Sequence, residues 1–330
     1  MAQLKIYNAG SIQKFLSLRA GETKWGEKIN FISALHELKK NPSPFVIFGI
    51  PEDIGIRANH GNPGASKAWE ACLPALLNVQ ENHFFNPSSL LLLGEIDCSE
   101  EMKKAGNLEI SDPNYYQKMG ELVEKIDEAV SSTVKTIVLA GKIPIIIGGG
   151  HNNAYGNIKG SSEALKNQIN VLNIDAHTDL RQLEHRHSGN GFSYARKNGF
   201  LNKYCIFGLH ESYTPQTIFD EMDASDEIKY HVLDNFLIDH KPRVFQESVE
   251  FVNSEKFGLE VDCDAIANFP SSAISPSGFT LNEVRSFVKI AAKDKNCAYL
   301  HLCEAIPKEN YPTGKALSYL ITDFLKTKAK

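Results

Sequence analysis

The stretch NIDAHTDLR (173–181) sets Asp175, His177 and Asp179 at alternate positions, directly after the apolar pair Val171-Leu172. Alternation is the period of an extended chain, so it predicts that all three side chains leave one side of the backbone. Taken alone, such a run is as ordinary in a solvated turn as in a metal site. Three other apolar runs end in the same manner. IIIGGGHNN delivers His151, GLEVDCD delivers Asp262 and Asp264, and YLHLCE ends on Glu304. If Asp175, Asp179, Asp262 and Asp264 converge, each like-charge pair at about 4 Å repels by roughly 4 kcal/mol at an effective dielectric near 20. Four such groups stay ionised together only around cations. Carboxylates mixed with imidazoles suit Mn²⁺, Fe²⁺ or Zn²⁺. Cys263 falls between two candidate ligands and is expected on the opposite strand face. A lone strand-end histidine or Asp-x-Asp pair is more often structural, but three such elements behind three strands favour metal binding.

These groups need a scaffold that brings strand ends together. Short apolar runs recur at 45–50, 89–94, 143–149, 169–175, 203–209, 257–262 and 298–304. Their near-continuous Leu and β-branched content predicts strands covered on both faces, as in a parallel sheet. Between them, 114–142 carries apolar residues at helical spacing and stops at Gly141. The segment 280–294 opens with Thr280 and Glu283, a capping box, and 312–330 closes the chain. Strand–helix alternation predicts one α/β domain over 1–330 with a mostly parallel sheet, residues 1–40 forming a partly helical N-terminal extension. Such sheets bind ligands beyond the carboxyl ends of their strands, where the polar clusters fall.

The 330 residues carry 35 basic and 40 acidic side chains, a formal charge of −5. This balance exerts no general pull toward nucleic acid or an anionic membrane. No apolar run approaches the roughly 18 residues of a membrane helix. The opening MAQLKIYNAGSIQKF lacks the apolar core of a secretory signal. Six scattered cysteines without a Cys-x-x-Cys pair read as reduced thiols. The expected location is the cytoplasm.

The ordered motifs resemble those of the ureohydrolases, the arginase, agmatinase and formimidoylglutamase family. GGGH (148–151), DAHTD (175–179), DCD (262–264) and EAIP (304–307) are similar to its successive signatures, and GIPEDIGIRANHGNPGA (49–65) to its opening. The resemblance implies a three-layer α/β/α fold, two Mn²⁺ per chain, a small amidine or guanidino substrate and a homo-oligomer. It also implies that His151, Asp175, Asp179 and Asp262 hold one ion. Asp175, His177, Asp262 and Asp264 would hold the other, and Glu304 would face the substrate cation. Two departures stand out: Gly150 replaces the usual Asp before His151, and the Asp-Pro that commonly follows the ligand pair is missing after Asp264.

Two ions sharing a water lower its pKa from 15.7 toward neutrality. On this reading the hydroxide attacks an amidine carbon while Asp179 accepts a hydrogen bond from it. The loop DLRQLEHRHSGNGF (179–192) bears on the substrate. Arg181 and Phe192 stand where arginase-like sequences carry Asn and a shuttle His, and formimidoylglutamases resemble this chain at both positions. A planar guanidinium suits a substrate carboxylate, although Arg181 could instead pair with Glu184 or Asp179. Ser188 and Asn190 are the other expected substrate contacts, and His185 or His187 could replace the shuttle. The expected reaction is hydrolysis of N-formimidoyl-L-glutamate to glutamate and formamide. Arginase or agmatinase activity is the alternative within the family. A metal-binding member without turnover is the alternative of another class.

Overall fold

The computed structural model describes residues 2–236 and 240–330. Among them one sheet contains β1 (Gln3–Ile6), β2 (Phe45–Ile50), β3 (Leu90–Asp97), β4 (Ile143–Gly148) and β5 (Ile169–Ile174). It continues with β6 (Leu201–Leu209), β7 (Ile228–Val232), β8 (Phe257–Asp262) and β9 (Cys297–Cys303). Their spatial order is β1-β3-β2-β4-β9-β8-β5-β6-β7. All pairings are parallel except β1 with β3.

Strands β2, β5 and β8 are buried along their whole length because both faces are covered. On β2, Phe45 and Ile47 join one apolar core while Val46 and Phe48 join the other. The first core is closed by helices Ala68–Leu77, Lys241–Val252, Leu281–Lys293 and Thr313–Lys328. The second is closed chiefly by Tyr115–Leu139 and Ala154–Leu165. The result is the three-layer α/β/α arrangement expected from the motifs.

Local chemistry sets the helix limits. The Thr280 hydroxyl accepts from the Glu283 amide at 3.2 Å, and the Glu283 carboxylate accepts from the Thr280 amide at 2.7 Å. Gly141, at φ 74°, turns the chain after Tyr115–Leu139 without the Cβ penalty.

Within the expected extension 1–40, the described residues 2–40 are integrated into the domain. They supply the edge strand β1 and bury Trp25 against Phe85 at 4.8 Å between ring centroids. β1 and β7 escaped the apolar-run criterion because each has partly solvated positions.

Candidate metal centre

The sequence-predicted ligands lie at the carboxyl ends of β4, β8 and β5, and Glu304 at that of β9, so the four strands that carry the site are consecutive in the sheet. β5 stops at Ile174, so the alternation of Asp175, His177 and Asp179 is not that of a continuing strand. The His177 amide donates to Asp175 Oδ1 at 2.7 Å, and Asp179 takes a left-handed φ of 49°. A turn, not the pleat, brings the three side chains together.

His151 Nδ1 lies 2.9 Å from Asp179 Oδ2, 3.2 Å from Asp175 Oδ2 and 3.2 Å from Asp262 Oδ2. His177 Nδ1 lies 3.0 Å from Asp264 Oδ2 and 3.6 Å from Asp175 Oδ1. Asp175 thus gives one oxygen to each group. The ligand atoms of His151, Asp175, Asp179 and Asp262 fall within 4.8 Å of one another, as do those of Asp175, His177 and Asp264. Asp262 belongs to the first set; its Oδ1 accepts from the Asp264 amide at 2.9 Å. Cys303, not foreseen as a donor, forms a third set with His151 and Asp262.

The electrostatics are those of crowded, buried donor groups. Burial pushes Asp262 well above the usual carboxylate range, reinforced by Asp264 and Asp175. Burial, followed by the Asp175 charge, raises Asp179. Asp175 lies low despite burial because His151 and His177 bond to it. Burial opposes charge on His151, yet Cys303 and then Asp175, Asp179 and Asp262 carry its pKa well above normal. Neither His151 nitrogen makes a hydrogen bond of good geometry, and Asp264 Oδ1 is buried without a partner. Since buried polar atoms are nearly always satisfied, these orphans and crowded carboxylates fit divalent ions.

A supporting layer was not foreseen. Glu52, wholly buried, accepts from the amides of Ile54 at 2.7 Å and Gly150 at 3.0 Å, and from Asn153 Nδ2 at 2.6 Å. It braces the loop that carries His151. Gly150 has a steric reason: a Cβ there would meet Asn152 Oδ1 at 2.4 Å and Ile56 Cγ1 at 2.9 Å. Asn173 Nδ2 donates to Asp175 Oδ2 at 2.8 Å. Glu260 accepts from the Tyr299 hydroxyl at 2.7 Å and bonds His301 Nδ1. It titrates below the usual range, because His301 and His151 together outweigh the burial that would raise it. Asn173 and Glu260, inside strands, carry no local motif that would have found them, and Glu52 sat in GIPEDIGIRANHGNPGA without a role assigned to it.

Glu304, at φ 61°, accepts from the His151 amide at 2.6 Å and from the Ser272 hydroxyl. Burial pushes its pKa up to about 8. It opens onto a cavity of about 1070 Å³ that also touches His177, Asp179, Asp262, Asp264, Arg181 and Ser188. Tyr213 at this cavity stacks between His177 at 5.1 Å and His210 at 4.9 Å, another contact the motifs did not reveal.

The substrate loop divides in two. Arg181 is exposed at the cavity and, among the described residues, has no ion-pair partner. Asp179 pairs instead with His151, and Glu184 with His187. Ser188 also lines the cavity and accepts from Asn59 Nδ2 at 3.1 Å. Asn190 is fully buried; its amide donates to the His185 carbonyl at 2.9 Å and accepts from Arg186 and the His187 amide. His187 is buried with both nitrogens engaged, by the Gly189 amide at 3.1 Å and by Glu184 at 3.2 Å. His185 Nε2 lies 3.1 Å from the Ala58 carbonyl. Phe192 packs edge-on against His151 with centroids 5.1 Å apart.

The arginase family matches residues 43–325. A formimidoylglutamase of Streptococcus gordonii is 29% identical over 318 residues, covering 90% of this chain and 89% of that enzyme. The crystal structure of a Bacillus subtilis formimidoylglutamase superposes with TM-score 0.76 at 20% identity, covering 97% of this chain and 98% of that one. A Trypanosoma cruzi formiminoglutamase structure with Mn²⁺ gives 0.72 at 19% identity, over 92% of this chain and 97% of that one.

Proposed function

The chain belongs to the arginase family, and from that premise we propose that it hydrolyses N-formimidoyl-L-glutamate to glutamate and formamide at a manganese pair. His151, Asp175, Asp179 and Asp262 would hold one ion, and Asp175, His177 and Asp264 the other. Their oxygen and imidazole donors fit manganese. When bound, such a pair supplies Lewis acidity and makes water nucleophilic near neutral pH.

The protein's own groups do the rest. Asp179 accepts a hydrogen bond from the attacking water. Glu304, at the cavity surface, pairs with the cationic formimidoyl nitrogen. Water adds to the formimidoyl carbon, its bond to the glutamate nitrogen breaks, and that nitrogen leaves with a proton. The observation that carries the substrate choice is Arg181, without an ion-pair partner among the described residues and exposed on the same cavity as the ligand carboxylates. Its guanidinium fits a substrate carboxylate bidentately and repels the free ammonium of agmatine.

Parallel assays with formimidoylglutamate, arginine and agmatine test the reading. Hydrogen bonds to charged groups contribute about 1.5–3 kcal/mol each. At about 1.4 kcal/mol per factor of ten, Arg181→Ala should lower kcat/KM for formimidoylglutamate by about 10–100-fold. Preference for arginine or agmatine, or an unaffected variant, would overturn it.

A further inference from the structure

Beneath the candidate ligands lies a second polar row. Parallel register sets Asn173 on β5 beside Glu260 on β8, and Glu260 beside His301 on β9. All three are fully buried. Asn173 is already accounted for, since it donates to Asp175. Glu260 has a different geometry. One of its oxygens accepts from the Tyr299 hydroxyl at 2.7 Å, and the other bonds His301 Nδ1. That second oxygen also faces His151 Nε2 at 3.6 Å. His301 is tied on its far side, with Nε2 3.4 Å from the Gly148 carbonyl at the end of β4.

His151 therefore has carboxylates facing both ring nitrogens, with Cys303 also beside it. Its Nδ1 looks at Asp175, Asp179 and Asp262, while its Nε2 looks down at Glu260. An imidazole can ligate an ion through Nδ1 only with its remaining proton on Nε2. A carboxylate facing Nε2 attracts an N–H and repels a lone pair. The separation of 3.6 Å exceeds a direct hydrogen bond, so the influence is electrostatic and acts between buried groups. A buried carboxylate is costly unless it is well partnered. Tyr299 and His301 provide that partnership, and their combined effect is to hold Glu260 under His151.

We infer that Glu260, braced by Tyr299 and His301, is a positioning residue that selects the Nε2–H form of His151 and so presents Nδ1 to the first ion. The inference rests on the metal-centre reading above, but it concerns one ion more than the other. His177, Asp264 and Asp175 do not depend on Glu260 in the same way.

Stepwise Mn²⁺ titration by calorimetry, followed in parallel by electron paramagnetic resonance, separates the two ions without any assay of turnover. In Glu260→Gln the amide nitrogen is expected to face His301 and His151, since the remaining oxygen still accepts from Tyr299. A donor facing Nε2 favours the Nδ1–H form. The step assigned to His151 should weaken by about 10–100-fold, the range seen when a ligand's orienting partner is lost. The other step should stay near its wild-type value, and the spectrum should change from a coupled pair to a single ion. Equal weakening of both steps, or an unchanged two-step isotherm, overturns the inference. Should Glu260→Gln fail to fold, Tyr299→Phe removes one brace and should weaken the same step by a smaller factor; an unchanged isotherm there also overturns it. Wild-type protein that takes up fewer than two ions defeats the metal reading and this inference with it. Two ions in wild type, and both bound with wild-type affinity in the two variants, defeats the role of Glu260 alone.

Discussion

Replacing Arg186 by Met isolates the device that joins the substrate loop to the metal loop. The Arg186 side chain is 2% exposed. Its Nε donates to Asp127 Oδ2 at 3.0 Å and its Nη2 to the Asn152 carbonyl at 3.1 Å. Nη1 bonds Asn190 Oδ1 and reaches the His187 carbonyl at 3.3 Å. The guanidinium also lies about 5 Å from the ring centroids of Tyr155 and Tyr194. Met restores most of the volume but leaves Asp127 buried with no counter-charge. Removing one partner of a buried pair costs about 3–5 kcal/mol. Burial already raises Asp127 to about 6 against the opposing Arg186 charge. Without Arg186 its pKa climbs further, so the cost at pH 7.5 should shrink at pH 5.5, where the carboxyl is neutralised. Urea denaturation followed by circular dichroism should show this loss. The double variant Arg186→Met/Asp127→Leu should recover most of it, because two apolar side chains replace the pair. A loss below about 1 kcal/mol, or a double variant no more stable than the single, would refute the reasoning.

Two further outcomes follow from the same loops. His187 has its pKa lowered to about 4 by burial, against about 6.5 when unfolded. The unfolded chain therefore binds the extra proton first, and stability present above about pH 6.5 is lost as pH falls toward 4. The stability advantage of wild type over His187→Gln should shrink across that window, and an advantage independent of pH would contradict the assignment. Gly150→Ala forces a methyl toward Asn152 and Ile56. Overpacking of this kind costs about 1–3 kcal/mol, so thermal unfolding should move to lower temperature; an unchanged transition would mean that the loop yields freely.

The legibility of this fold and site followed the range of the signals. FVIFGI and INVLNI are buried throughout, so composition alone marked them as interior strands; the structure assigns 45–50 to β2 and ends β5 at Ile174, one residue short of the predicted 169–175. Thr280 and Glu283 sit three residues apart, close enough for the capping box to be read directly. Gln3–Ile6 gave no such signal, because its place depends on pairing with β3 some ninety residues away. At the site, Asp175, His177 and Asp179 were conspicuous through spacing, although a turn and not an extended strand gathers them. Glu52 and Glu260 were invisible for the opposite reason. Nothing local marks either acid as a brace, since their partners Asn153 and His301 lie 101 and 41 residues away. Asn190 was prominent within its motif, yet its amide is spent on the loop that surrounds it.

The central claim is that one shared carboxylate, Asp175, joins two ligand sets into a binuclear centre. Metal analysis after equilibration with Mn²⁺ and removal of loosely bound ions tests it most directly. Wild-type protein should retain close to two ions per chain, and Asp175→Ala close to none, since each oxygen of Asp175 serves a different set. One ion or fewer in wild type, or two retained without Asp175, would contradict the account.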